Sequence, residues 1–447
     1  MRERKGDYIF FALSPLSPTL PLPLLPAKTL TPSQQLYERA RRLIPWGTQT
    51  NAKRPDEALA GIMPFFIDRA DGCRIQDVDG RWYIDYRAAL GPIILGYRHP
   101  VVDAAVRAQL ENGVLFSMAS PLEADVAELL RAVVPGLEQV RFMKTGNDAN
   151  SAAVRLARAF TGRDHLVTCG YHGYSDWFAC GQGKATTWCP RDGNGVPTAL
   201  DALVTRIAYG DTETAEDLFA RKGEEIAAMI MVPYDWGDTV ARDFVRRMRV
   251  LTEQHGALLI FDEVLTGFRL ALGGGRDYFG VAPDLSTYAK ALANGYPLSA
   301  FGGRRDVMAT LYDVIITTTY AGETLSLAAA HATLQTLRDE PVIEHLWMMG
   351  ARLQAGFDAA ALALGLAART IGLPPAVQFH FSDHAETDAA AHHAFFRELY
   401  RQGIFAARPF LLSYAHQDED VDETLAAMEA AMAIVAEEVP ALRSAVS

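Results

Sequence analysis

One lysine stands apart in this chain. Lys290 lies in the run Leu285-Ser286-Thr287-Tyr288-Ala289-Lys290-Ala291-Leu292-Ala293-Asn294-Gly295, which holds no other charge and mostly small side chains. Such surroundings desolvate an amine and lower its pKa, which suits a nucleophile that forms an imine. Taken alone, a lysine of this kind is more often a surface or snorkelling residue. Lysine is scarce, however, with Lys5, Lys28, Lys53, Lys144, Lys184 and Lys222 the only others. Upstream, Leu258-Leu259-Ile260-Phe261-Asp262-Glu263-Val264 reads as a buried strand ending in two acids. Open α/β sheets bind ligands at the carboxyl ends of their strands, and Asp262 stands at such an end. A third segment, Lys144-Thr145-Gly146-Asn147-Asp148-Ala149-Asn150, precedes the helical pattern Ser151 to Phe160. A loop entering a helix offers backbone amides to a phosphate, although a plain helix cap also accounts for its Asn and Asp residues.

The scaffold that must position these groups is visible in the spacing of apolar residues. Gln35 to Leu43, Val101 to Leu110, Leu122 to Val134 and Asn150 to Phe160 carry them at helical intervals. Short apolar runs lie between and after, at Val140 to Met143, Leu166 to Thr168, Ile226 to Val232 and Leu258 to Phe261. The alternation predicts an α/β sheet with helices on both faces. Asp79-Gly80, between Cys73–Val78 and Trp82–Tyr86, signals a β-hairpin. From about residue 335 helices dominate again (Val342 to Leu364, Asp422 to Glu438), with a strand at Val377 to Phe381. The expected layout is a proline-rich extension over residues 1–35, outside the fold, and the N-terminal part of a small α+β domain over 36–100. A large domain follows over 101–335, and residues 336–447 complete the small one.

Composition narrows the function classes. The 447 residues exceed one small core, at about 100–200 residues per domain. Lys plus Arg total 42 against 54 Asp plus Glu, a net charge of -12 without a basic stripe, which argues against nucleic acid. Cys73, Cys169, Cys180 and Cys189 form no paired motif, so neither a disulfide framework nor a zinc site is expected, and reduced thiols fit a cytoplasmic protein. His99, His255 and His416 lack metal-ligand spacing. Arg2, Arg4 and Lys5 before Ile9–Leu13 resemble a leader, but Pro15, Pro18, Pro21, Pro23 and Pro26 interrupt any spanning helix. No other segment has the roughly 20 uncharged apolar residues of a membrane span.

Taken together, the motifs resemble the class III pyridoxal-phosphate (PLP) aminotransferases, and within them the branch around glutamate-1-semialdehyde aminomutase. The resemblance rests on Phe261-Asp262-Glu263-Val264-Leu265-Thr266-Gly267-Phe268-Arg269 and on Pro283-Asp284-Leu285 through Lys290 to Gly295-Tyr296-Pro297. Gly91–Gly96, Tyr171-His172-Gly173 and Ala415–Asp422 match as well, in family order from about residue 36 to 435. It implies fold type I, the aspartate aminotransferase-like architecture, with a mixed, mainly parallel sheet in the large domain. It also implies an imine between Lys290 and PLP, with Lys290 then shuttling the substrate proton, and Asp262 holding the pyridine nitrogen. The Gly146 and Asn147 amides would bind the phosphate, Tyr171 and Val264 would cover opposite ring faces, and His172 would lie beside the cofactor. For Val264, ordinary core is an equal reading. Thr319, in Thr319-Tyr320-Ala321-Gly322-Glu323-Thr324-Leu325, would reach the phosphate of a second subunit, so a homodimer is implied.

Several positions depart from the family pattern. Asn147 stands for Ser or Thr, Asp148 for Glu, and Glu323-Thr324 for Asn-Pro, which makes Glu323 a candidate substrate contact. Met231-Val232-Pro233 lacks the usual Glu, and Leu265 replaces the Gln of the ω-transaminase branch. Lys53, Arg54 and Arg87 are candidates to hold a substrate carboxylate. Gly273-Gly274-Gly275 reads as a loop, not a nucleotide cradle. The expected activity is amino transfer from an amino acid to an aldehyde or keto acceptor. An aminomutase or an amino-acid epimerase uses the same residues, and a non-catalytic PLP-binding protein is the remaining alternative.

Overall fold

The computed structural model describes residues 30–179, 195–237 and 240–443. The expected extension lies outside the described residues up to residue 29, as do Cys180, Lys184 and Cys189. The chain divides into two compact units, one built from Ala89–Leu95 and His99–His345, the other from the described residues up to Ala88 with Gly96–Arg98 and those from Leu346 on. Strands are numbered along the chain. β1 (Ile67–Asp71), β2 (Arg74–Asp77) and β3 (Trp82–Asp85) belong to the second unit. The first unit holds β4 (Gln139–Met143), β5 (His165–Cys169), β6 (Val204–Arg206), β7 (Ile226–Met231), β8 (Leu258–Asp262), β9 (Leu285–Tyr288) and β10 (Ser299–Gly303). β11 (Arg369–Ile371), β12 (Ala376–His380), β13 (Ile404–Phe405) and β14 (Phe410–Leu411) return to the second.

In the first unit the sheet runs β4-β10-β9-β8-β7-β5-β6. β10 is antiparallel to both its neighbours and the other pairings are parallel, giving the mixed, mainly parallel sheet expected. Every residue of β5, β7, β8, β9 and β10 is buried. That is why β5, β7 and β8 read as apolar runs instead of alternating ones. The helix Gly146–Thr161 packs on the sheet through Ala149, Ala152, Ala153 and Leu156, against Ile230, Ile260, Leu285 and Phe301. Each large apolar side chain buried here contributes roughly 1.5–3 kcal/mol.

The second unit contains two sheets, β1-β2-β3-β13 and β11-β12-β14. The Asp79-Gly80 hairpin forms as expected: Gly80 takes φ 88, and Asp77 Oδ1 accepts from the Asp79 and Arg81 amides at 3.0 and 2.8 Å. Phe357, Phe379, Phe381 and Phe395 pack together beside β12.

Three helices begin one turn earlier than apolar spacing indicated. They start at Pro32, Gly146 and Asp418 instead of Gln35, Asn150 and Asp422. Each is opened by a capping box, Thr31 with Gln34, Thr145 with Asp148 and Gln417 with Asp420. A cap starts the helix, whereas the apolar period marks only where its buried face begins. Among the described residues, no helix is long and apolar enough to cross a membrane.

Candidate active site

Lys290 follows β9 after a single residue, Ala289, and its own backbone is left-handed, with φ 47. An L-residue held there costs on the order of 1–2 kcal/mol, so the surroundings must impose it. Nearby, Leu292 N–H donates to Ala289 O at 3.0 Å, and Asn294, also left-handed, accepts the Leu95 amide on Oδ1 at 2.9 Å. Burial pushes the Lys290 amine down from 10.5 to about 8; the Asp262 charge opposes this and the Arg269 charge adds to it. Arg269 is fully buried, donates from Nη2 to Gly91 O at 3.2 Å, and is itself pushed down to about 10 by burial.

Asp262 ends β8, where its carboxylate is buried and fully oriented. Oδ2 accepts from His172 Nδ1 at 2.7 Å and from Asn150 Nδ2 at 2.8 Å, and Oδ1 accepts from the Val264 amide at 3.0 Å. Because Asp262 is the acceptor throughout, the His172 proton is assigned to Nδ1. Asn150 was missed in the sequence. Its amide also donates to His172 O at 3.1 Å, and its Oδ1 accepts the Thr287 hydroxyl at 2.6 Å. Thr287 lies on β9 directly beside Asp262. An asparagine four residues into a helix is locally unfavourable, and that was the available signal.

The helix that carries Asn150 opens towards the same region. Thr145 Oγ1 accepts the Asp148 amide at 3.2 Å while Asp148 Oδ2 accepts the Thr145 amide at 2.9 Å. This box leaves the Gly146 and Asn147 N–H groups without an acceptor among the described residues. A Cβ on Gly146 would come within 2.8 Å of both Val264 methyls, so only glycine brings this backbone so close. The Asn147 side chain turns away from its own amide: Oδ1 accepts from Tyr174 N, Ser175 N and Ser175 Oγ at 2.9, 3.1 and 3.0 Å.

Gly146, Asn147, Tyr171, His172, Asp262, Val264 and Lys290 thus all belong to the first unit. Tyr171 is half exposed and stands edge-on to Phe178 at 5.6 Å; Phe178 also meets the His172 ring at 5.4 Å. Partial burial, and secondarily the Asp262 charge, raises the Tyr171 hydroxyl. Thr319 is exposed in a turn of the same unit.

Glu323 caps the helix Thr324–Asp339, accepting from Leu325 N, Ser326 N and Ser326 Oγ at 2.7, 3.2 and 2.5 Å, and pairs with Lys144 Nζ at 3.0 Å. Burial acts to raise its carboxyl, but hydrogen bonds from Ser326, Lys144 and Leu325 outweigh it and hold the group below its usual range. With these four donors, Glu323 serves as a helix cap and as the ion-pair partner of Lys144. Lys53, Arg54 and Arg87 lie in the second unit. Lys53 is exposed, Arg54 lies 5.0 Å over the Trp46 ring, and Arg87 is buried with its guanidinium 5.9 Å from the Phe405 centroid.

Gly273 and Gly274 form a turn, while Gly275, expected in the same loop, opens a short helix, Gly275–Phe279, whose first amides are already engaged. Gly275 and Arg276 N–H donate to Glu263 at 3.0 and 3.1 Å, and burial lifts that carboxyl to about 7. In place of the missing glutamate, Val232 fills the space beside Gly170, where a Cβ would come within 2.4 Å of it.

A model of the aminotransferase class-III family matches residues 57–432. The chain is 37% identical over 419 residues to glutamate-1-semialdehyde 2,1-aminomutase of Syntrophobacter fumaroxidans, spanning 88% of this chain and 96% of that protein. Its counterpart in Thermomicrobium roseum is 37% identical over 431 residues, spanning 90% and 98%. Among solved structures, the FumI protein of Sphingopyxis sp. MTA144 in its PLP internal aldimine form superposes with a TM-score of 0.83 at 32% identity, covering 92% of this chain and 98% of that one. An omega-transaminase from Sphaerobacter thermophilus gives 0.82 at 27%, covering 91% and 98%.

Proposed function

Because the chain belongs to the class III aminotransferases, PLP enzymes of fold type I, we propose that it moves an amino group from an amino acid donor to an aldehyde or keto acceptor, with Lys290 as the residue that binds the cofactor covalently. The observation that carries this reading is the pairing of a desolvated lysine with a buried, fully oriented carboxylate. The residues fit the cofactor: two amides lie without acceptors at a helix N-terminus, and Gly146 leaves room above Val264. When bound, PLP draws electron density from the carbon that carries the amine, so that this carbon can release a proton.

The chain's own residues then divide the work. Near pH 8 the Lys290 amine is substantially unprotonated, which lets it act as a nucleophile and later take and return the proton at the substrate carbon. Asp262 would keep the ring nitrogen protonated, held in place by His172, Asn150 and the Val264 amide. The Gly146 and Asn147 amides would hold the phosphate, helped by the positive end of the helix. Tyr171 and Val264 would close on opposite ring faces.

The names of the 37%-identical relatives favour a second reading, an intramolecular aminomutase acting on glutamate 1-semialdehyde. Acceptor dependence separates the two. A transaminase given a single amino donor stops after one conversion per site and resumes when a keto acid or aldehyde is added. Sustained turnover of glutamate 1-semialdehyde alone, with no such arrest for any donor, would replace the first reading by the second.

A homodimer is part of the same proposal. Met118 is 83% exposed, Tyr312 90%, Ile315 83% and Tyr320 58%, large apolar side chains that a second subunit would cover. Tyr320 directly follows Thr319 in the same exposed turn, and Thr324 N–H ties the end of that segment to Val114 O at 2.9 Å. Light scattering of the PLP-loaded protein should give twice the 48.9 kDa chain mass; a monomer at micromolar concentration would exclude Thr319 as a contact to a second subunit's phosphate.

A further inference from the structure

Three side chains on one face of the helix Gly146–Thr161 grip the segment that follows β5. Asn147 Oδ1 takes three donors from Tyr174 and Ser175. Asn150 donates to the His172 carbonyl at 3.1 Å. Ser151 Oγ hydrogen-bonds Ser175 Oγ at 2.8 Å and accepts the Trp177 indole N–H at 3.0 Å. Positions i, i+3 and i+4 share a helix face, so the three act together. Gly173, at φ 113, lies so near that a Cβ would sit 2.4 Å from Asn147 Oδ1, which only glycine avoids.

We propose that Asn147 is a positioning residue with two separable duties: its side-chain carbonyl fixes the Tyr171–Ser175 segment, and its backbone N–H serves the phosphate. This rests on the cofactor reading above. An oxygen already taking three donors has no lone pair left for a substrate, so the side-chain carbonyl acts on the chemistry only through the Tyr171 and His172 rings that it places. The amide duty survives any substitution that keeps the helix, whereas the carbonyl duty does not.

The two duties predict opposite responses from two variants of the full chain. Asn147→Ala keeps the amide but frees the segment, so the PLP dissociation constant should stay within about threefold while turnover per bound cofactor falls about tenfold or more. Asn147→Asp keeps the acceptor but sets a negative charge beside the phosphate. It should recover at least about fivefold of the turnover lost in Asn147→Ala and weaken PLP binding about tenfold or more. The inference is overturned if Asn147→Ala binds PLP poorly yet turns over normally once loaded, if Asn147→Ala changes neither quantity, or if Asn147→Asp recovers no turnover. Wild-type protein that takes up no PLP would instead defeat the cofactor reading itself.

Discussion

Lys290→Ala is expected to lower turnover by at least about 10⁴-fold and to remove the borohydride-fixed cofactor mass from the chain. Both duties of the amine, nucleophile and proton carrier, disappear together. Among the described residues Lys144, the lysine nearest the phosphate loop in sequence, is already paired with Glu323. A reducible link that persists unchanged in Lys290→Ala would overturn the assignment. The same residue should also leave a mark on stability without cofactor. Burial holds the folded amine at about 8 against 10.5, so between these values the unfolded chain binds the extra proton. Folded protein therefore gains stability as pH rises from 8 to 10.5, by on the order of 3 kcal/mol, and carries that full cost below pH 8. Lys290→Met removes the ionisable group. Its apo form should be more stable than wild type at pH 7, with the difference shrinking towards pH 10.5 in denaturant titrations. A pH-independent difference would mean that the amine is not desolvated.

What the sequence revealed about this site follows from the range of the forces involved. Asp262 was legible because it ends an apolar run that a buried strand requires, Lys290 because it is the one charge in an uncharged run of mostly small residues, and Gly146 because a helix start carries local capping signals. The family pattern supplied their order but not their orientation. Apolar spacing begins the helix at Asn150. In the fold it is a full turn inside, where Asp262, Thr287 and the His172 carbonyl satisfy its whole amide. Those partners lie 112, 137 and 22 residues away, beyond any local rule. Glu323 shows how far a partner can lie: its capping needs only the next two amides, whereas its cation, Lys144, is 179 residues away. Periodicity reports burial well, but it is silent about polar pairs brought together by the sheet.

Asp262→Asn is the sharper test of that polar network, because it removes charge while preserving shape. Turnover is expected to fall on the order of 10³-fold, the scale of loss when one preorganised group that stabilises developing charge is removed. Geometry makes the substitution costly in either orientation. The two carboxylate oxygens accept from three donors, His172 Nδ1, Asn150 Nδ2 and the Val264 amide. An asparagine amide turned one way confronts Asn150 and His172 with a donor; turned the other, it confronts Val264. His172 escapes by moving its proton to Nε2, but Asn150 has no such freedom. The electrostatic consequence has a definite sign. Asp262 raises the Lys290 amine against the pull of burial, so its loss favours the neutral amine and moves the titration below about 8. The rate of PLP capture by apo protein, followed against pH, should therefore reach its plateau at lower pH in Asp262→Asn even as turnover collapses. A variant that captured PLP with an unshifted pH midpoint would show that the two side chains do not share a field. One that turned over within tenfold of wild type would show that the ring nitrogen's proton is held elsewhere.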